Sequence, residues 1–149
     1  MVSRRRLRST PGPGTAVHAA SFLRQRLIVL DRELLSSPRE LKRIWLHELY
    51  HFVWWRMSNA RRLVWEQILF EEFRSATTGE LGWSAEVRKN ALAPLDARLR
   101  TRGWREYCCE SFCDSAAWYA AGLKRHAEGT LTSQARRIRS LYFKLRMLP

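Results

Sequence analysis

His47-Glu48-Leu49-Tyr50-His51 is the segment of this chain whose residue types and spacing could do chemistry. Residues four apart on a helix stand one above the other on the same face, so His47 and His51 can offer two imidazole nitrogens to one ion. Zinc takes such ligands at about 2.0–2.1 Å. Glu48 lies about 100° round the helix from His47. Its carboxylate then stands beside the ion, where it serves as a general base toward a zinc-bound water rather than as a ligand. Zinc lowers the pKa of that water to about 7, and Glu48 can pass the proton on to a leaving amine. The chain has only four histidines, and two of them fall in this segment.

A catalytic zinc keeps three protein ligands and one open position. The favoured third ligand is Glu110, in Glu110-Ser111-Phe112-Cys113-Asp114. Asp114 comes one helical turn later. From there it can accept a hydrogen bond from the far nitrogen of a ligand histidine, fixing tautomer and ring orientation. Asp114 stands in the apolar stretch from Phe112 to Tyr119, where a carboxylate without a partner is costly. Glu106 and His126 are rival third ligands. Tyr107, three residues before Glu110, faces the same way and is expected to stabilise the oxyanion that forms when water attacks a carbonyl, a role for which Tyr119 and His126 are alternatives.

A helix must carry the first segment, and its start is well marked. Ser37 can cap, Pro38 suits the first helical position and Glu40 completes a capping box. Apolar residues recur at Leu41, Ile44, Trp45, Leu49, Phe52 and Val53, and the helix is expected to run to about Met57. Further helices are expected near 61–75, with Leu63, Ile68, Leu69 and Phe73 as apolar positions, and over 84–101, interrupted by Pro94. Another, carrying Glu110, is expected over about 104–123. The last, about 132–147, puts Ile138, Leu141, Tyr142 and Leu145 on one face with basic residues around them. Residues 22–30 predict a strand. Trp45, Trp65, Trp104 and Trp118 are expected in the core, and Trp54-Trp55 are also read as packing residues, with a cleft wall as the alternative.

His47-Glu48-Leu49-Tyr50-His51 followed by Glu110-Ser111-Phe112-Cys113-Asp114 resembles the gluzincins, in particular the minigluzincins and the ImmA/IrrE-like regulatory peptidases. The resemblance covers roughly residues 24–122. It implies an α+β, predominantly helical, zincin-like domain: a small sheet whose edge strand precedes the HExxH helix, and a second helix that delivers the glutamate. It also implies that His47, His51 and Glu110 bind Zn2+, that Glu48 is the base and that Asp114 supports a ligand histidine. A metzincin pattern is excluded, because Trp54 and Met57 stand where glycine and histidine would be required.

Composition sets the frame. At 149 residues with 46% apolar side chains, the chain suits one domain with a real core. Residues 1–20 read as a flexible basic arm, and 21–149 as a single domain that ends in a basic helix. The net charge of +13 is concentrated at the ends: residues 1–26 hold six arginines and no acid, and 131–149 hold four arginines, one lysine and no acid. Such termini suit nucleic acid or another acidic partner. No apolar run approaches the ~18–20 residues of a membrane span. Cys108, Cys109 and Cys113 are an odd, clustered set that reads as reduced thiols rather than a disulfide framework, which points to the cytoplasm. The expected function is a zinc metallopeptidase that hydrolyses peptide bonds. The alternative is a basic nucleic-acid-binding or regulatory module with structural zinc or none.

Overall fold

The computed structural model describes residues 2–3, 6–8 and 16–146, with side chains from His18 to Arg146. Its strands are β1 (Val2–Ser3), β2 (Arg6–Arg8), β3 (Ala16–Val17), β4 (Ala19–Phe22) and β5 (Leu27–Leu30). A short 3-10 helix, Arg32–Ser36, leads into α1 (Pro38–Arg56). Then follow α2 (Asn59–Arg74), α3 (Trp83–Asn90), α4 (Asp96–Leu99), α5 (Arg102–Ala120) and α6 (Ser133–Arg146). The chain is thus mostly helical with small antiparallel sheets, one of order β1-β2-β3 and one β4-β5 hairpin.

The hairpin corrects the single strand expected over 22–30. Its register pairs Ala19 with Leu30 and Phe22 with Leu27. Between them the chain turns: Gln25 N–H donates to Phe22 O (3.1 Å), and Arg26 takes a left-handed φ of 53°. Much of the arm expected over 1–20 lies outside the described residues. Its described parts pair as strands, and Ala19 and Ala20 already belong to the hairpin.

α1 begins at Pro38 as expected, but Ser37 makes no side-chain cap, and Glu40 reaches Arg43 and His126 instead of closing a capping box. At its other end Arg62 donates to the exposed carbonyls of Trp54 (2.7 Å) and Trp55 (2.8 Å), satisfying acceptors that a helix end leaves open. Ser58 and Thr101 cap α2 and α5 through Arg61 N (3.4 Å) and Trp104 N (3.3 Å). Pro94 falls between α3 and α4, where the expected interruption lies.

α5 is the axis of the core. It is buried almost continuously from Tyr107 to Trp118 and packs chiefly against α1 and α3. Phe112 meets Trp65 and Phe143 at ring separations of 5.7 and 5.4 Å, and Trp65 meets Tyr142 at 5.1 Å. Each such side chain contributes about 1.5–3 kcal/mol through removal from water. The Trp65 indole N–H finds the Cys108 carbonyl at 3.1 Å.

Two expected helix faces are wrong in the same way. On α1, Trp45 and Leu49 are exposed, while Arg43, His47 and Glu48 are buried. On α6, Ile138, Leu141 and Leu145 are exposed, while Ala135, Arg139, Tyr142 and Phe143 face inward. Charged side chains that meet partners have taken interior positions that an apolar pattern assigns to neighbours. Arg139 is the extreme case. Its guanidinium, 1% exposed, donates to both carboxylate oxygens of Glu72 (3.0 and 2.5 Å) and of Glu80 (2.9 and 2.6 Å). This fourfold contact ties α6 to α2 and to the segment before α3. Trp65, Trp104 and Trp118 are buried as expected, and Trp54 packs on Phe112. Among the described residues no helix is long and apolar enough to cross a membrane.

Candidate metal centre

α1 and α5 lie against each other so that His47 and His51 of one helix face Glu110 of the other. The Nε2 atoms of the two histidines are 3.2 Å apart. Glu110 Oε2 stands 3.3 Å from His47 Nε2 and 3.8 Å from His51 Nε2. Tetrahedral ligands at about 2.0–2.1 Å from one zinc stand about 3.3 Å from each other. Two nitrogens and a carboxylate oxygen at these separations could hold one metal ion.

Each donor is held from behind. His47 Nδ1–H donates to Asp114 Oδ1 at 2.7 Å, so that the neutral ring keeps its Nε2 lone pair toward the shared point. Asp114 Oδ2 accepts the Ala85 backbone N–H at 3.1 Å, so this one carboxylate also caps α3, whose own N-cap is Gly82. Gly82 is needed here for space rather than for its φ: a Cβ at that position would collide with the Asp114 carboxylate. His51 Nδ1 lies 3.5 Å from Cys109 Sγ. The second oxygen of Glu110, Oε1, faces Arg88 at 3.4 Å.

The charges follow from this geometry. Burial disfavours a charged His47, but Asp114 and Glu110 outweigh it and hold the imidazole pKa well above its ordinary value. Burial would raise the Glu110 carboxyl. The hydrogen bond to His47 and the charges of His51, His47 and Arg88 instead bring it down to about 2. A hydrogen bond from Cys113 lowers the Cys109 thiol to about 6 against the effect of burial, with help from His51.

Glu48 is buried beside His47, and its Oε2 accepts a short hydrogen bond from Ser21 Oγ of β4. The same hydroxyl lies 2.9 Å from the Glu48 carbonyl oxygen. β4 thereby fixes the side chain that follows the first histidine. A cleft of about 350 Å³ opens here, walled by Ala19, Arg43, His47, Glu48, Trp83 and Asp114.

The structure brings together His47, His51, Glu110 and Asp114, and sets Glu48 beside His47 at the cleft wall. It does not bring Tyr107 to them. That side chain is completely buried, and its hydroxyl donates to Glu80 Oε1 at 2.6 Å, so the expected oxyanion role is corrected to a place in the Arg139 network. The rivals are also accounted for. Glu106 pairs with Arg102 on the surface, and His126 meets Glu40 at 2.6 Å. Sequence reasoning missed Ser21, Gly82, Arg88 and Cys109. Only Cys109 carried a usable signal, since one residue before Glu110 on a helix places it near the same ligand set.

No family model, curated protein or solved structure matches this chain.

Proposed function

We propose that this chain is a zinc-dependent peptidase of the gluzincin type, in which His47, His51 and Glu110 hold the metal and Glu48 is the proton carrier. The observation that carries this reading is the convergence of two Nε2 atoms and one carboxylate oxygen from separate helices at mutual distances of 3.2, 3.3 and 3.8 Å. Asp114 behind His47 and a carboxylate next to His47 at the cleft wall are the accompanying parts that such chemistry needs.

Bound zinc would supply Lewis acidity and make water a nucleophile near neutral pH. The residues of the chain do the rest. Glu48 takes a proton from the attacking water and returns it to the leaving nitrogen. Ser21 orients Glu48 by donating to Oε2. Asp114 keeps His47 in the tautomer that leaves Nε2 free, and Arg88 keeps one oxygen of Glu110 away from the histidines. Ala19, at the cleft wall, belongs to β4, which among the described residues pairs only with β5. A peptide running along the other edge of β4 would meet its backbone N–H and C=O groups, the reason to favour a peptide over a compact small molecule as substrate.

Hydrolysis of a peptide library, followed by mass spectrometry, tests the proposal. Zinc-loaded protein is expected to yield cleavage products, and Glu48→Gln to hold the same zinc and yield none. Equal cleavage by the variant, or none by the zinc-loaded chain, would refute it.

A further inference from the structure

We propose that Cys109, Cys113 and the Nδ1 side of His51 form a second metal site, for soft thiophilic ions, and that its occupation excludes zinc from the His47-His51-Glu110 set. The thiol site stands on its own observations; only the exclusion rests on the zinc reading above.

The geometry repeats that of the first set. Cys109 and Cys113 are four apart on α5, as His47 and His51 are on α1, so their sulfurs share one face. One ligand atom from each of Cys109, Cys113 and His51 lies within 4.8 Å of the others. Cys109 Sγ is 3.5 Å from His51 Nδ1. All three cysteines are free, and Cys113 is buried while Cys109 and His51 are partly accessible. Cys108 takes no part: it is buried, and its backbone carbonyl accepts from Trp65. Two sulfurs and an imidazole are a soft donor set, suited to copper(I), zinc or a heavier thiophilic ion. On binding, each sulfur donates a lone pair to the ion as a thiolate, and any proton it still carries passes to solvent. No electron is transferred.

His51 belongs to both sets, and this makes them exclusive. A neutral imidazole has one lone pair and one N–H. With the lone pair on Nε2, directed at the first set, the proton sits on Nδ1 and points to Cys109. An ion held at Nδ1 by the thiolates moves that proton to Nε2. It then points at His47 Nε2 and Glu110 Oε2, 3.2 and 3.8 Å away, where a ligand is required. His47 has no such freedom, because its Nδ1 is tied to Asp114.

Cadmium is the probe, added to the reduced, metal-free full-length chain. In His47→Ala/Glu110→Gln protein, which lacks the first set, one cadmium per chain is expected to bind with a sulfur-to-metal charge-transfer absorption. That absorption should be lost in Cys109→Ser, Cys113→Ser and His51→Ala versions and kept in Cys108→Ala. Cys109 is half-buried, so its serine variant decides the matter if Cys113→Ser fails to fold by circular dichroism. In the zinc-loaded natural sequence, each cadmium bound should release one zinc as the absorption rises. No sulfur-to-metal absorption in the folded double variant, or absorption that survives Cys109→Ser, overturns the site. Zinc and cadmium held together on one chain overturn the exclusion. If the natural sequence holds no zinc at the outset, the peptidase reading fails, while cadmium binding to the double variant still decides this one.

Discussion

Asp114 Oδ1 lies 2.7 Å from His47 Nδ1, and the other oxygen of the same carboxylate accepts the Ala85 N–H at 3.1 Å. Two N–H donors thus meet one side chain. An amide has a single acceptor, so Asp114→Asn must turn its NH2 toward one of them. The expected cost is about 10–100-fold in zinc affinity, the range for partners of ligand histidines. Gly82→Ala should lower zinc affinity as well, since its methyl group would displace the same carboxylate. A competition titration against a chromophoric chelator measures both.

Glu110→Ala removes a ligand rather than its support, and its loss of zinc affinity should exceed the about 10–100-fold expected for Asp114→Asn. Glu106→Ala should leave zinc binding unchanged, because Glu106 is spent on Arg102 at the surface. Equal effects of the two substitutions in the same titration would remove Glu110 from the ligand set.

Zinc affinity should depend on pH in a defined direction. Without metal, Asp114 and Glu110 outweigh burial and hold the His47 pKa well above its ordinary value, so the ring keeps its second proton to higher pH than a free imidazole does. Zinc needs the neutral ring, and its binding displaces that proton. Affinity should therefore rise with pH, by about tenfold per unit for each ring proton displaced, until the raised pKa values of His47 and His51 are passed. For folding of the metal-free chain the sign is opposite. The stability contributed by His47 is complete below its unfolded pKa and is lost as pH rises through the folded one. Calorimetry in buffers of different protonation enthalpy counts the proton, and urea unfolding across the same range reads the stability.

The histidines and their glutamate were legible in the sequence because the information is local. His47, Glu48 and His51 lie within one and a half turns of a helix, and Glu110 and Asp114 are one turn apart on another. Ser21, Gly82 and Arg88 were not legible, since each reaches the site across 22 or more residues of chain and has no pattern of its own. The helix faces failed for a different reason. Periodicity counts apolar side chains, whereas α1 and α6 bury Arg43, Glu48 and Arg139 through hydrogen bonds and ion pairs.

Arg139 supplies a stability test. Removing the guanidinium leaves Glu72 buried without a counter-charge and Glu80 with Lys89 alone, 3.4 Å away. Arg139→Met should cost about 3–5 kcal/mol in urea unfolding. Neutralising both acids in the same chain, with Glu72→Gln and Glu80→Gln, should recover much of that loss. A small effect of Arg139→Met alone would show that α6 is not held by this contact.

Where zinc goes is the most direct test of the proposed metal centre. A crystal grown with zinc, with diffraction collected on both sides of the zinc absorption edge, locates the ion without reference to activity. One anomalous peak is expected about 2.0–2.2 Å from His47 Nε2, His51 Nε2 and a Glu110 oxygen. No peak among these three atoms, or one held by Cys109 and Cys113 in their place, would contradict it.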